Sequence, residues 1–353
     1  MPSRAAPVIT ESLDLLRRRP GMYFGGTGID GLHEVAFQVI GHSFDEVFKR
    51  RATSISVSLS EGWLTVDDDG VGISLEKVDG APSFLESVFT TLHFSASRDV
   101  PPLFAHVTRR LIGAGLGSVS AVCQWLEVET HRDGLCHRAA FSRGVVSEPL
   151  TLVGPTQRQG LRLRLFPDTE IFGASAFETQ TLETAIRRFA YLTPQVRWCF
   201  QNRNVSKPDG FLSFLTDTAN GPLEPGSIGV FSGEVDDITI SFAIALRKRG
   251  RRKKVAPITS WVNASSTEEG GSHVNGMMAG LTDAFGNRWR VLEPRVVGAL
   301  HVVIADPIFE GGAKLRLHVP TIEPLVRAFV AAELAKQDDL RVTWLQVLSQ
   351  LDP

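Results

Sequence analysis

Cysteine is scarce in this chain of 353 residues: Cys123, Cys136 and Cys199 are an odd number with no CxxC spacing. That excludes a disulfide framework and a cysteine-based zinc site, and a reducing cytoplasm is the compartment that fits. No run approaches the roughly 18 apolar residues of a membrane span, and "MPSRAAPVITESLDLL" lacks the apolar core of a signal peptide. The nine histidines include no HExxH spacing, and no GxSxG nucleophile elbow is present. With 37 basic and 39 acidic residues, the formal charge of -2 excludes a protein built wholly around a polyanion.

What is present is globular. Hydrophobic residues make up 43% and charged residues 22%, and the length suits two domains on a scale of roughly 100 to 200 residues each. "ESLDLLRR" (11–18) reads as a short helix stopped by Pro20-Gly21, and a longer amphipathic helix spans 32–49. The period then changes to two. "SISVSL" (54–59) and "WLTVDD" (63–68) form a hairpin around Glu61-Gly62, and further strands fall at 125–130, 136–142 and 161–166. A helix at 178–192 leads into "NRNVSKPDG", where a second domain opens. Its strands lie near 227–231, 237–246, 258–263 and 296–304, with helices from about 273 and over 321–350. Strand runs with helices grouped apart predict an α+β sandwich with an antiparallel or mixed sheet. The expected boundary separates 1–203 from 204–353.

Two stretches suggest chemistry. "VDDDGVGIS" (66–74) ends a strand in Asp68 and turns through Gly70 and Gly72, which suits a carboxylate at a pocket floor facing a donor such as an amino group; a plain turn is the ordinary alternative. "RRLIGAGLGSVSAV" (109–122) runs a Gly-rich loop into a helix. Backbone N–H groups at Leu111, Gly113, Ala114 and Gly115, with a helix N-terminus, suit an anion. The alternative is that these glycines only permit close helix packing.

With the polar positions 38, 42, 45 and 46 on the preceding helix, these stretches resemble the ATP site of the GHKL superfamily. Within it the chain resembles the ATPase and transducer region of the gyrase B and ParE subunits of type II topoisomerases. "RRRPGMYFG" (17–25), "HRDG", "LFPDTEIF", "EGGSHVNGMMAGL" (269–281) and "DPIFEGGAKLRL" (306–317) are similar to that family's motifs, in order from about residue 11 to 335. The resemblance implies a Bergerat-type sandwich with a mixed sheet, then a transducer domain of ribosomal-S5-like type ending in helices. It also implies ATP as ligand and dimerisation upon binding it. Asp68 stands for the adenine-binding aspartate with Gly70 and Gly72 beside it, Lys314 for the transducer lysine that reaches the γ-phosphate, and Arg132 for an arginine at the pocket rim.

The departures cluster at the chemistry. The family's water-polarising glutamate is Gln38 here, an amide that takes no proton at neutral pH, where a positioned base is worth about 10² to 10⁴ in rate. Its magnesium-binding asparagine is His42, whose imidazole suits zinc or copper better than Mg²⁺. A threonine that shares a water with the aspartate aligns with Leu161. Val71 replaces the arginine that pairs with the carboxylate at Glu46, and Arg109-Arg110 and Gly312-Ala313 replace further family residues. No metal ligand set is expected, and nothing resembles the acidic motifs of a DNA-cleavage domain.

Three functions follow as expectations. In the first the chain is a degenerate module, hydrolysing ATP poorly or not at all, that dimerises and binds a partner such as a topoisomerase subunit. In the second it is an enzyme using the old pocket on another small molecule, and in the third a working ATPase. The basic run "RKRGRRKK" (247–254) reads first as a solvated hairpin loop, with DNA-backbone contact as its sharper alternative.

Overall fold

The computed structural model describes residues 13–49, 51–76, 83–92, 115–249, 257–305, 307–311 and 314–351. They fall into two compact units. One reaches to Arg187 and takes in Gln195–Ser206; the other holds Arg188–Pro194 and the chain from Lys207 onward.

In the first unit, three helices, α1 (Leu13–Arg18), α2 (Gly21–Phe24) and α3 (Ile29–Phe48), precede the hairpin β1 (Ser54–Ser60) and β2 (Trp63–Asp68). Then come α4 (Phe84–Thr90), α5 (Leu116–Ala121), β3 (Cys123–Arg132), β4 (Leu135–Ser142), β5 (Val145–Pro155) and β6 (Gly160–Pro167). The unit closes with α6 (Thr169–Phe172), most of α7 (Thr179–Leu192), β7 (Arg197–Phe200) and β8 (Arg203–Asn204). The eight strands form one mixed sheet in the order β5-β4-β3-β6-β2-β1-β7-β8, parallel only between β1 and β7.

Alternation along these strands produces two different faces. Ile55, Val57, Leu64, Val66, Leu126, Val128, Leu163 and Leu165 are buried. Helix α3 packs on β1, β2 and β6 with a buried stripe of Leu32, Val35, Ala36, Val39, Ile40 and Phe44, the 3.6-residue period of a core-facing helix. The opposite strand positions carry charge in register: Asp67 opposite Arg162, Glu129 between Arg162 and Arg138, and Glu127 opposite Arg164. Each row is ion-paired, as in Arg162 to Asp67 at 2.7 Å and Arg164 to Glu127 at 2.8 Å.

Asp168, fully buried, caps α6 and is held by Arg17 at 2.6 Å and Arg143 at 3.0 Å. Burial pushes its carboxyl up, but these two guanidiniums and the cap bond hold it below its ordinary value.

The second unit contains α8 (Phe211–Thr218), β9 (Gly229–Val235), β10 (Ile238–Leu246), β11 (Ile258–Val262), β12 (Ser265–Ser266), α9 (Ser272–Phe285), a 3₁₀ turn at Asn287–Arg295, β13 (Val296–Val303), α10 (Ile322–Ala335) and α11 (Asp338–Leu351). Its sheet runs β12-β11-β13-β10-β9, with β11 and β13 parallel. The core joins Phe242, Ile244 and Leu300 of the sheet to Met277, Leu281, Val326, Val330 and Trp344 of the helices. Trp344 stacks on Phe285 at 4.9 Å and donates its indole N–H to the Ser227 carbonyl. Gly276 and Gly280, one turn apart, let α9 approach the backbone of α10, where a Cβ would meet Glu323 O at 2.4 Å and Arg327 O at 2.8 Å.

The hairpin, the long helix α3 and the C-terminal helices match the sequence expectation, and the fold is the expected mixed α+β type. The strand β5, the parallel strand β7, the helices α4 and α8 and the 3₁₀ turn were not foreseen.

Candidate functional site

Asp68 is the last residue of β2, and the inward phase of that strand aims it under α3. Its side chain is 4% exposed. Ser43 of α3 donates its hydroxyl to Asp68 Oδ2 at 2.6 Å, while Gly70 N–H and Leu161 N–H donate to Oδ1 at 3.0 and 3.4 Å. Burial pushes the carboxyl up to about 6 against the pull of these three donors, with nearby Glu46 adding to the rise. At neutral pH it remains an anion, and so purely an acceptor.

The chain is tight around this carboxylate. At Gly160 (φ +117) a Cβ would sit 1.9 Å from the Asp68 carbonyl oxygen, so only glycine lets β6 pass the end of β2. Thr130, paired with Leu161 across β3 and β6, accepts from Ile73 N–H at 2.9 Å and so fixes the turn that follows Gly70 and Gly72.

Helix α3 lays Gln38, His42, Asp45 and Glu46 along one side. Gln38 is half-buried, and its Oε1 accepts from Ser118 Oγ at 3.0 Å; the same hydroxyl lies 2.7 Å from Gly115 O. The amide is thus tied to the first turn of α5. Burial draws the His42 imidazole down to about 4, outweighing the opposite pull of Glu46, so the ring is neutral at physiological pH. Burial also lifts Asp45 to about 7. Glu46 is 8% exposed; Lys49 reaches its Oε1 at 3.4 Å, and its Oε2 is buried with no hydrogen-bond partner. Val71 offers that oxygen nothing.

Among the described residues, no three or more His, Cys, Asp or Glu side chains gather closely enough to hold a metal ion. The hard, oxygen-seeking Mg²⁺ finds a neutral imidazole at His42 and an amide already engaged at Gln38. These residues do not fit it. A nucleotide base meets better conditions, because Asp68 keeps a lone pair on Oδ2 in a dry setting.

The remaining predicted residues are distributed unevenly. Asp68, Gly70 and Gly72 sit at the end of β2, and Gln38 and His42 lie on α3 of the same unit, which reaches Asp68 through Ser43. Gly115 (φ +75) precedes α5, whereas Leu111, Gly113, Ala114 and the pair Arg109-Arg110 lie outside the described residues. Arg132 ends β3, pairs with Asp133 at 3.4 Å and is about 38% exposed. Lys314 belongs to the second unit, where it is buried and adopts a left-handed backbone (φ +53). Its loop is clasped to the start of α9: Leu317 N–H donates to Gly270 O and Ser272 N–H to Leu317 O, both at 3.0 Å. Gly312-Ala313 and residues 250–254 of the basic run also lie outside the described residues. Arg247, which opens that run, is buried and binds the backbone carbonyls of Ala219 and Val296, so its guanidinium is structural.

Sequence reasoning missed Ser43 and Ser118. A hydroxyl interrupting the buried stripe of α3 between Ile40 and Phe44 was the available signal for Ser43. Ser118 gave none, since a serine in a helical first turn is ordinary.

No family model matches the chain. The gyrase B protein of Thermus thermophilus is 32% identical over 342 residues, covering 88% of this chain and 52% of that protein. The type 2 topoisomerase B protein of Aquifex aeolicus is 30% identical over 357 residues, covering 93% of this chain and 44% of that one. The chain therefore spans about half the length of the curated relatives it matches. Among solved structures, the 43K ATPase domain of Thermus thermophilus gyrase B, in complex with an aminocoumarin, superposes with a TM-score of 0.81 at 25% identity. That match covers 98% of this chain and 96% of the other. The topoisomerase IV ATP-binding domain of Francisella tularensis shares the fold, with a TM-score of 0.76 at 19% identity over 97% of each chain. The chain is homologous to gyrase B and type 2 topoisomerase B over the part of those proteins that it spans, and it has the fold of the gyrase B ATPase region.

Proposed function

We propose that this chain is a gyrase-B-like nucleotide-binding and transducer module in which ATP hydrolysis is impaired or lost, acting as a dimerising binding or regulatory protein. The observation that carries this reading is the engaged amide of Gln38, on the same helix whose Ser43 holds the Asp68 carboxylate. Where the homologous family places a base, Gln38 can neither take a proton nor turn freely toward a water, since Ser118 holds it. Asp68 still offers an acceptor to an amino group. Binding is thereby separated from turnover. On this reading the two domains are 1–203 and 204–353, ATP binds with little or no Mg²⁺ dependence, and Lys314 acts as the phosphate-sensing residue. A second copy and a topoisomerase subunit are the partners.

A second reading, an enzyme that acts on another small molecule in the same pocket, is favoured by the unpaired Glu46 Oε2 and the apolar Leu161. Thermal-shift titration with ATP and a non-hydrolysable analogue, each with and without Mg²⁺, tests the first reading. Stabilisation by both nucleotides, equal with and without metal and without phosphate release, is the expected result. No shift with either would remove nucleotide binding and leave the second reading. Phosphate release that is abolished by Asp68→Asn would instead make the chain a working ATPase.

A further inference from the structure

The outward positions of the first sheet carry one sign of charge per strand. β2 supplies Asp67, β6 supplies Arg162 and Arg164, β3 supplies Glu127 and Glu129, and β4 supplies Arg138. The pairing registers set these in rows: Asp67, Arg162, Glu129 and Arg138 lie abreast on neighbouring strands, with Arg164 and Glu127 abreast in the row beside them. The next row along β6 and β3 is aromatic, Phe166 opposite Trp125, and the Trp63 ring lies 5.6 Å from Phe166. This face is open. Trp125 is 46% exposed, and the side chains of Arg138, Arg162 and Arg164 keep 34 to 42% of their surface. Their ion pairs leave capacity over, since a guanidinium has more donors, and a carboxylate more lone pairs, than these contacts use.

The pattern is its own complement. When a second copy is turned over about a two-fold axis that runs along the strands midway between β6 and β3, its β3 lies over β6 and its β4 lies over β2. Arg162 then faces Glu129 of the second copy, Arg164 faces Glu127, Asp67 faces Arg138, and Trp125 meets Phe166. Packed sheets stand about 10 Å apart, a gap that one arginine and one carboxylate side chain fill end to end. Their strands cross at about 30°, so the register holds best beside the axis, where β6 and β3 lie. A slide of one strand would set arginines over arginines and carboxylates over carboxylates, and like charges at contact reject that arrangement.

We propose that this face is a docking surface for a second copy of the chain, joined sheet to sheet about that axis, with the aromatic row supplying affinity and the charged rows fixing the register. Nucleotide has no part in it, so the association is present without ligand.

The test is sedimentation of the full chain without nucleotide over roughly 1 to 200 µM, where a reversible monomer–dimer equilibrium is expected. Arg162→Glu and Glu129→Arg each set like charges across the axis and should each weaken it at least about ten-fold. Mixed in equal amounts the two variants should associate again, because each change then faces the other and the unaltered pair meet on the opposite side of the axis. Trp125→Ser, at an exposed position that spares the core, should weaken association by about as much and serves where a charge reversal fails to fold. A chain that stays monomeric throughout, or that dimerises only when ATP is added, overturns the proposal and leaves the nucleotide-binding reading standing. A dimer indifferent to all three substitutions is joined through another surface and overturns it as well. Mixed variants that stay apart overturn the two-fold arrangement.

Discussion

Replacing Asp68 by asparagine should make the unliganded protein more stable, and increasingly so as pH rises from about 4 to 6.5. The carboxyl moves from an ordinary value of 3.8 to about 6 on folding. A shift of about 2 pH units corresponds to about 3 kcal/mol. The native state holds this proton more tightly than the unfolded chain, so stability is fully present below 3.8 and is lost as pH rises through 6. Above that, the buried anion costs the fold the whole amount. The asparagine carries no charge and no such cost; with its carbonyl in the Oδ1 place it still accepts from Gly70 and Leu161 N–H, and its NH₂ faces Ser43 Oγ, whose hydroxyl must turn to accept, a constant penalty of roughly 1 kcal/mol at most.

The diagnostic quantity is therefore the pH-dependent part of the difference between variant and wild type, read from urea unfolding at half-unit steps between pH 4 and 7.5. Wild-type curves alone would mislead. His42, lowered from 6.5 to about 4, has the opposite sign: the unfolded chain takes up its proton first, so about 3 kcal/mol is lost as pH falls through the same window. The two slopes nearly cancel in the whole protein and separate only in difference curves. A difference that stays flat over this range, or declines, would refute the claim that the Asp68 seat is strained by burial.

Other perturbations read different parts of the molecule. Joint replacement Gln38→Glu and His42→Asn should raise phosphate release from ATP by about 10² or more over wild type in a coupled assay, since a carboxylate base and an oxygen ligand return together. Gly160→Ala should destabilise by more than about 3 kcal/mol in denaturant titration, because its Cβ would overlap the Asp68 carbonyl in a left-handed backbone. Asp168→Ala should cost about 2 kcal/mol at pH 7, discounted because Arg143 is partly exposed. Its carboxyl sits below its ordinary value, so this stability is present above about pH 4 and is lost on acidification; the variant and wild type should converge as pH falls.

How much of this was legible in the sequence depended on whether a residue's partner lay nearby in the chain. The stripe of α3 and the alternation of β1 and β2 report burial on one face, which periodicity encodes directly. Strand β5, "VVSEPLTLVGP", lies at the sheet edge with most side chains exposed and Pro149 inside it, so no alternation marked it. Strand β7 is short and pairs in parallel with β1, a distant partner that leaves no local trace. At the site, Asp68 and its glycines were visible because a strand end and a turn are local features. The Ser43 and Ser118 bonds join residues 25 and 80 positions from their partners, and only the packed fold creates them.

The outer face of the first sheet has a consequence for how this protein meets others. Arg138, Arg158, Arg162 and Arg164 alternate with Asp67, Glu127 and Glu129, close neighbours of opposite sign. Such a mosaic is strongly structured at contact, yet its field fades quickly outward, because opposite charges a few ångströms apart cancel before a Debye length of about 8 Å is reached. A partner approaching this side is neither steered nor repelled from afar. Association through it would proceed at the unassisted rate of roughly 10⁵ to 10⁶ M⁻¹s⁻¹ and vary little with salt, and a bound surface would be discriminated only after touching, by how well its own charges fall into register with the rows.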